Sequence, residues 1–123
     1  MSSKTFTDLR AWKSAHQVSL EIYRITARYP REERYGLGQQ MRRASVSVAA
    51  NIAEGFGRWS AKDQARFHEI SRTSAEELRH YLILSRDLGF LQPDAGLDDR
   101  VDGVCAMLYR LRETTLGRGA EDA

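Results

Sequence analysis

Residues 44–53 read Ala-Ser-Val-Ser-Val-Ala-Ala-Asn-Ile-Ala, a run of ten residues without a charged side chain that lies between Arg43 and Glu54. Helical periodicity continues through the run, so it predicts about 15 Å of helix at a rise of about 1.5 Å per residue. A surface helix of a small domain ordinarily shows water one charged face. In this helix, small or apolar side chains lie on every side. The run is nevertheless too short for a membrane span, which needs about 20 apolar residues.

The chargeless run predicts a contact with a second chain. A single bundle buries one side of a helix. Small uncharged side chains on the other side let another backbone approach, and little is lost when water is excluded because no charge is buried. The residues predicted to form this oligomer interface are Val46, Ala49, Ala50 and Ala53. A central helix that is well buried within its own chain is the alternative, and the sequence leaves it open.

Three further stretches carry helical patterns. Pro30 ends the first helix, and Gly55-Phe56-Gly57 breaks the second. Ser60 and Asp63 resemble a capping box at the start of the third helix, and Gly89 is a suitable left-handed residue to end it. The predicted helices cover about residues 7–29, 37–55, 61–88 and 94–116.

The last helix has the cleanest pattern, because its apolar residues step by four, three, four, three and four positions, the spacing of a coiled-coil seam. Those residues are Leu97, Val101, Val104, Leu108, Leu111 and Thr115. Four helices of about 20 residues with short connections predict an all-α protein, an antiparallel up-down-up-down four-helix bundle. The bundle is expected to cover residues 1–116 as one domain, followed by a disordered C-terminal tail over residues 117–123.

Composition and cysteine content limit the class of protein. Charged residues make up 29% and hydrophobic residues 41% of the 123 residues, an ordinary balance for a soluble domain. The N-terminal residues contain no apolar segment of a secretory signal, and the single cysteine, Cys105, cannot form a disulfide framework or a zinc cluster. These observations predict a cytoplasmic protein without a membrane partner.

Signals for catalysis and for metal or cofactor binding are weak. The histidines are His16, His68 and His80, and the last two are twelve positions apart. That spacing is about 18 Å along one helix, so they cannot share a metal. Cys105 lies beside the coiled-coil seam, where a packed thiol is more common than a nucleophile. We therefore expect no metal, no cofactor and no enzymatic activity.

Asn51 and Glu54 are the polar residues of the second helix that most need an explanation. They lie three positions apart near the end of the chargeless run and so share a face. If they are buried, each needs a partner, because an unsatisfied buried polar group costs about 1–3 kcal/mol. We predict a structural polar network at these two residues, with catalysis as the less favoured alternative.

Positive charge is concentrated in the first part of the chain. Residues 1–72 contain 13 basic and 7 acidic residues, a net charge of +6, whereas residues 73–123 contain 6 basic and 10 acidic residues, a net charge of −4. Sixteen of the 19 basic residues are arginine, whose guanidinium binds phosphate oxygens in a bidentate manner, although the coding bias of a GC-rich genome would give the same excess. The residues predicted to bind nucleic acid are Arg42, Arg43, Arg58, Lys62 and Arg66.

A family resemblance adds to this interpretation. It rests on Trp12, Ala15, Ile22-Tyr23, Thr26 and Pro30, then Tyr35-Gly36-Leu37, Gln40, Arg42-Arg43-Ala44-Ser45, Ser47 and Asn51-Ile52-Ala53-Glu54-Gly55. Over about residues 6–91 the chain resembles the four-helix bundle family encoded in intervening sequences of bacterial 23S ribosomal RNA genes. That family is similar to the accessory variability protein of diversity-generating retroelements. One position departs from the pattern, because Thr73 stands where the family often has glycine.

The resemblance implies an antiparallel four-helix bundle that assembles into a homopentameric ring. For the retroelement relatives it also implies contacts with reverse transcriptase and with RNA or DNA through a basic surface. It supplies no catalytic residue. The sequence thus predicts a non-enzymatic oligomeric bundle that binds nucleic acid, with structured RNA favoured, or holds a nucleoprotein partner. A protein–protein scaffold without a nucleic-acid role is the alternative.

Overall fold

The computed structural model describes the backbone of residues 5–122 and the side chains of residues 5–117. Within these residues the chain is all-helical, with a short 3₁₀ turn at Phe6–Asp8 before the first helix. The helices are α1 (Arg10–Thr26), α2 (Arg31–Arg34), α3 (Leu37–Phe56), α4 (Ala61–Asp87) and α5 (Ala95–Asp122). Because α2 is a single turn, the four long helices α1, α3, α4 and α5 form the bundle, and the predicted fold class is confirmed.

Several helix ends are set by residues that the sequence marks. Ser60 caps α4, since its side chain accepts a hydrogen bond of 3.1 Å from the backbone nitrogen of Asp63. Gly89 follows the end of α4 with a φ of 81°, a conformation that glycine adopts without strain. Asp94 stands before α5, where its Oδ1 accepts a hydrogen bond of 3.1 Å from the backbone nitrogen of Leu97.

Other boundaries differ from the prediction. The first predicted helix, 7–29, is interrupted at Leu9, whose extended backbone separates the 3₁₀ turn from α1. α1 then ends at Thr26, because Pro30 disfavours helical geometry in the residue before it, and the expected turn after Pro30 contains α2. Helical geometry in α5 continues to Asp122, beyond the predicted end of the fourth helix at about residue 116, and the last residue of the predicted tail, Ala123, lies outside the described residues.

Contacts between neighbouring long helices pair later residues of one helix with earlier residues of the next. Between α3 and α4, the Ser85 hydroxyl is 3.4 Å from Met41 Sδ, and the Ser71 hydroxyl donates to the Val48 carbonyl at 2.6 Å. A later residue of α3 thus meets an earlier residue of α4, which is the order of an antiparallel pair. The contacts between α1 and α3 and between α4 and α5 follow the same order.

The hydrophobic core lies between the four long helices. Ile22, Met41, Ile52 and Leu108 have no exposed surface, and each such burial stabilises the fold by about 1.5–3 kcal/mol. Five residues of the predicted α5 seam are also buried: Leu97, Val101, Val104, Leu108 and Thr115. The sixth, Leu111, is half-buried. The coiled-coil spacing therefore marks the inward face of α5.

α3 and α4 approach closely where Gly55 faces α4. A Cβ atom at Gly55 would lie 3.1 Å from Phe67 Cβ and 3.2 Å from His68 Cε1, so a larger side chain would push the two helices apart. Thr73, which departs from the family pattern, is exposed, and its hydroxyl donates to the Ile70 carbonyl at 2.9 Å. Its side chain therefore lies outside the α3–α4 contact of the single chain.

Candidate nucleic-acid interface

The chargeless run lies in the middle of α3, and the bundle buries only one side of it. Four residues of the run face the core: Ala44, Ser45, Val48 and Ile52. On the outward side Val46 is 45% exposed, Ala50 is exposed, and Ala49 and Ala53 are half-buried. On the single chain this side of the helix is therefore only partly covered, and a contact of this face with a second chain stays a prediction.

A groove of about 500 Å³ lies beside this outward face, near the N-terminal end of α3. The residues that line it are Tyr23, Tyr35, Gln39, Arg42, Arg43, Val46 and Ser47. Tyr35 is 82% exposed and Tyr23 is about half exposed, and the lining includes no carboxylate. Two arginines and two aromatic rings therefore share one surface at this end of the bundle.

Arg42 connects three elements of the bundle. Its Nη1 donates to Thr26 Oγ1 at 3.1 Å, and its Nη2 donates to the Arg34 carbonyl at 2.7 Å. The guanidinium carbon also lies 5.9 Å from the centroid of the Tyr23 ring. These contacts give Arg42 a structural role between α1, α2 and α3, whereas the neighbouring Arg43 is exposed and makes no ion pair with a described carboxylate.

The three other predicted cations, Arg58, Lys62 and Arg66, come together where α3 ends and α4 begins. The Arg58 and Arg66 guanidinium groups lie 4.6 and 4.9 Å from the centroid of one ring, that of Phe67. Each pair is a cation–π contact, which holds the two guanidinium groups on the same surface. We call Arg58, Lys62, Arg66 and Phe67 the Phe67 cluster.

The carboxylates beside the Phe67 cluster are weak partners. Arg58 pairs with Glu54 at 3.1 Å, and Arg66 lies 4.0 Å from Asp63. Both pairs are exposed, so each contributes only about 0–1 kcal/mol. Lys62 is exposed and makes no ion pair with a described residue.

The structure therefore divides the five predicted residues into two groups. Arg42 and Arg43 lie near the N-terminal end of α3, and the Phe67 cluster lies at its C-terminal end. About 13 helical residues separate the two groups, which is about 20 Å along the axis. A single chain does not bring all five residues into one patch.

The share of lysine and arginine side chains that make ion pairs differs between the two sides of residue 72. The described residues 5–72 include twelve lysine and arginine side chains, of which three make ion pairs: Arg58, Arg66 and Arg72. Residues 73–117 include five arginines, of which four make ion pairs: Arg79, Arg86, Arg100 and Arg112. Nine cations of the first group thus have no carboxylate partner within the described part of the chain.

Asn51 and Glu54 lie in different environments. Asn51 is half-buried, and its Nδ2 donates to the Ser47 carbonyl at 2.8 Å and to Ser47 Oγ at 3.0 Å. Ser47 Oγ is in turn 2.8 Å from Ser74 Oγ, so this network links α3 to α4. Glu54 is exposed, and its partner is Arg58. The polar network therefore contains Asn51, whereas Glu54 belongs to a surface ion pair.

We expect Asn51→Ala to lower the free energy of unfolding by about 1–3 kcal/mol, because the Ser47 carbonyl and hydroxyl lose a donor in a partly buried network. Glu54→Ala is expected to cost no more than about 1 kcal/mol, since it removes an exposed ion pair. Urea denaturation followed by circular dichroism measures both costs. A stable Asn51→Ala variant that has lost nucleic-acid binding would instead assign Asn51 to the binding surface.

The histidines and the cysteine do not converge on one place. No group of three His, Cys, Asp or Glu side chains in the described part of the chain could hold a metal ion. His16 stacks on Trp12 with ring centroids 4.8 Å apart, and His68 is buried next to Gly55. Burial raises the pKa of the Cys105 thiol to about 11, so the nucleophilic thiolate is scarce at neutral pH.

Among the described helices, none has the length and apolar character needed to cross a membrane.

Two exposed aromatic residues accompany the predicted cations, although neither is among the residues predicted from the sequence to bind nucleic acid. Trp59 is fully exposed in the loop between α3 and α4, directly after Arg58. Tyr35 lies between α2 and α3, on the groove beside Arg43. Both residues stand outside the helical stripes that mark the core, and an aromatic residue in a polar loop beside arginine is the signal that could have identified them.

Fold and surface together define a small helical-bundle protein whose described residues 5–72 include nine cations without a described carboxylate partner. Residues 7–110 match the family model described as 23S rRNA-intervening sequence protein. The chain belongs to this family, as the sequence motifs of α1 and α3 predict. No curated protein matches the chain.

Proposed function

We propose that this protein is a non-enzymatic, oligomeric bundle that binds the phosphates of nucleic acid, with structured RNA as the favoured ligand. The observation that carries the proposal is the division of ion pairs. Nine cations among residues 5–72 have no described carboxylate partner, whereas four of the five arginines in residues 73–117 have one. Lysine and arginine contacts to phosphate supply essentially all of the sequence-independent affinity for nucleic acid. The unpaired cations whose charged groups are not already bonded within the bundle, such as Arg43 and Lys62, are suitable donors for such contacts.

Assembly would combine the two basic groups at the ends of α3. The chargeless outward face, with Val46 and Ala50, lies between Arg43 and the Phe67 cluster. A contact through this face would bury the uncharged middle of α3 and leave both basic ends at the rim. Symmetry would then repeat each basic group and sum its field. We favour five subunits, the number that the family resemblance implies.

Binding is expected to depend weakly on base sequence. The described chain consists of long helices with short connections, and phosphate contacts fix the position of a ligand without reading its bases. The family is described by the 23S rRNA intervening sequence, and we favour structured RNA as the ligand.

A protein–protein scaffold is the second candidate function. It is favoured by apolar side chains that remain exposed on the single chain, among them Leu20, Val46 and Ile83. In such a scaffold the unpaired cations would have no role in affinity, and the ligand would be another protein.

A salt series separates the two candidates. We would measure the binding of an RNA hairpin and of duplex DNA to the wild-type protein by fluorescence anisotropy, from about 50 to about 200 mM salt. Phosphate contacts predict that the logarithm of the binding constant falls linearly with the logarithm of salt, by about 0.9 per contact on a duplex. Absence of binding at the lowest salt, or a flat response, would favour the scaffold.

A further inference from the structure

Trp59 is the most exposed large apolar side chain of the described chain, with its whole surface open to solvent. A tryptophan ordinarily buries about 150–250 Å² in a core or an interface, so full exposure in a single chain calls for a ligand or a partner. Trp12, the other tryptophan, is half-buried and lies edge-on to Phe6 with ring centroids 5.3 Å apart.

The backbone on both sides of Trp59 is fixed by hydrogen bonds. The Arg58 nitrogen donates to the Gly55 carbonyl at 3.1 Å, and the Arg58 carbonyl accepts from Gln64 Nε2 at 2.8 Å. On the other side, the Ser60 hydroxyl accepts from the Asp63 nitrogen at 3.1 Å. These bonds therefore fix the backbone that carries Trp59, while the indole itself is open to a ligand.

The side chains around Trp59 favour an anionic ligand. Arg58 precedes the indole directly, and Lys62 and Arg66 follow on the first turns of α4, with the two arginines on the Phe67 ring. Proteins that bind single-stranded nucleic acid combine an aromatic ring, on which a base stacks, with cations that contact the adjoining phosphates. A second copy of this chain would meet these cations with the carboxylates of residues 73–123, whereas a nucleic-acid strand supplies both phosphates for the cations and a base face for the indole.

We infer that Trp59 is a stacking platform for an unpaired base of single-stranded or looped nucleic acid, with Arg58, Lys62 and Arg66 on the flanking phosphates. This inference rests on the proposed function and narrows its ligand class. A fully paired duplex keeps its bases stacked on one another, so it offers the cations phosphates along its length but offers Trp59 a free base face only at its two ends.

Fluorescence of a Trp12→Phe variant tests the inference, because Trp59 is then the single tryptophan. In the free protein we expect the emission of a solvent-exposed indole. Addition of a single-stranded RNA should quench this emission, and a blunt-ended duplex of the same sequence should leave it nearly unchanged. A short-wavelength emission in the assembled protein without nucleic acid would show that a second copy covers Trp59 and would overturn the inference.

Affinity measurements on the protein with Trp12 intact provide the second readout. Trp59→Ala should weaken single-strand binding about 5- to 150-fold, which corresponds to about 1–3 kcal/mol per stacked base, and should leave duplex binding unchanged. Trp59→Phe should retain most of the affinity. The matched control is Tyr109→Ala, which removes another exposed aromatic side chain, one that lies on α5, and it should change neither affinity.

The outcomes separate the inference from the proposed function. If both nucleic acids bind with a steep salt dependence and Trp59→Ala changes neither affinity, the stacking platform is wrong and phosphate binding stands. Equal losses on single strand and duplex would also overturn the platform. If neither nucleic acid binds the wild-type protein at low salt, the proposed function itself fails.

Discussion

Ala50→Glu is expected to convert the assembled protein into a folded monomer. Ala50 is exposed on the single chain, and glutamate is nearly as good a helix former as alanine, so the bundle should keep its stability. In an assembly that uses the outward face of α3, the same carboxylate would be buried without a partner, and an unpaired buried charge costs several kcal/mol. Light scattering at micromolar concentration measures the mass, and circular dichroism verifies the fold.

Ala106→Glu is the matched control for this variant. Ala106 is an exposed alanine within α5, so the substitution adds the same charge and the same side chain to another helix. It should keep the mass of the wild-type protein. A wild-type protein that is already monomeric at micromolar concentration, or an Ala50→Glu variant that keeps the wild-type mass, would show that this face of α3 is not an interface.

The second large effect is expected when four of the predicted cations are neutralised together. The variant carries glutamine at four positions: Arg43, Arg58, Lys62 and Arg66. Arg42 stays, because its guanidinium donates to Thr26 and to the Arg34 carbonyl, and its loss would disturb the fold. The salt slope of RNA binding should flatten by about one unit for each phosphate contact removed, while the oligomer mass stays unchanged.

A second fourfold variant controls for net charge. It carries glutamine at four arginines of α4 and α5: Arg79, Arg100, Arg110 and Arg112. Both variants lower the net charge of the chain by four. We expect the control to keep most of the RNA affinity, because none of its four arginines belongs to either basic group at the ends of α3. Equal effects of the two variants would mean that overall charge, rather than these four positions, determines the affinity.

The fold is predictable from the sequence where local signals decide it. Ser60 caps α4 by accepting a hydrogen bond from the backbone nitrogen of Asp63, three positions away. Gly89 ends the helix because glycine adopts a positive φ without strain. The α5 seam is read from spacing alone, because burial follows the helical period. The break at Leu9 has no comparable local signal, so the first helix is predicted as continuous.

The surface is less predictable, since it depends on contacts between distant residues. Arg42 and Arg43 are adjacent in sequence, yet Arg42 reaches Thr26 on α1 whereas Arg43 remains at the surface. The separation of these two residues from the Phe67 cluster follows only from the direction and length of α3. Exposure of Trp59 likewise depends on how Gln64 holds the loop, which composition does not reveal.

We propose that assembly brings the basic groups of several subunits to bear on one ligand. The most direct test is to measure RNA affinity for the wild-type protein and for the Ala50→Glu monomer, at equal subunit concentration and over the same salt series. Ala106→Glu accounts for the added negative charge. We predict that the wild-type assembly binds more tightly and with a steeper salt slope than the monomer, because each ligand then meets cations from several subunits. A monomer that binds with the same affinity and the same slope as the wild-type protein would contradict the proposal.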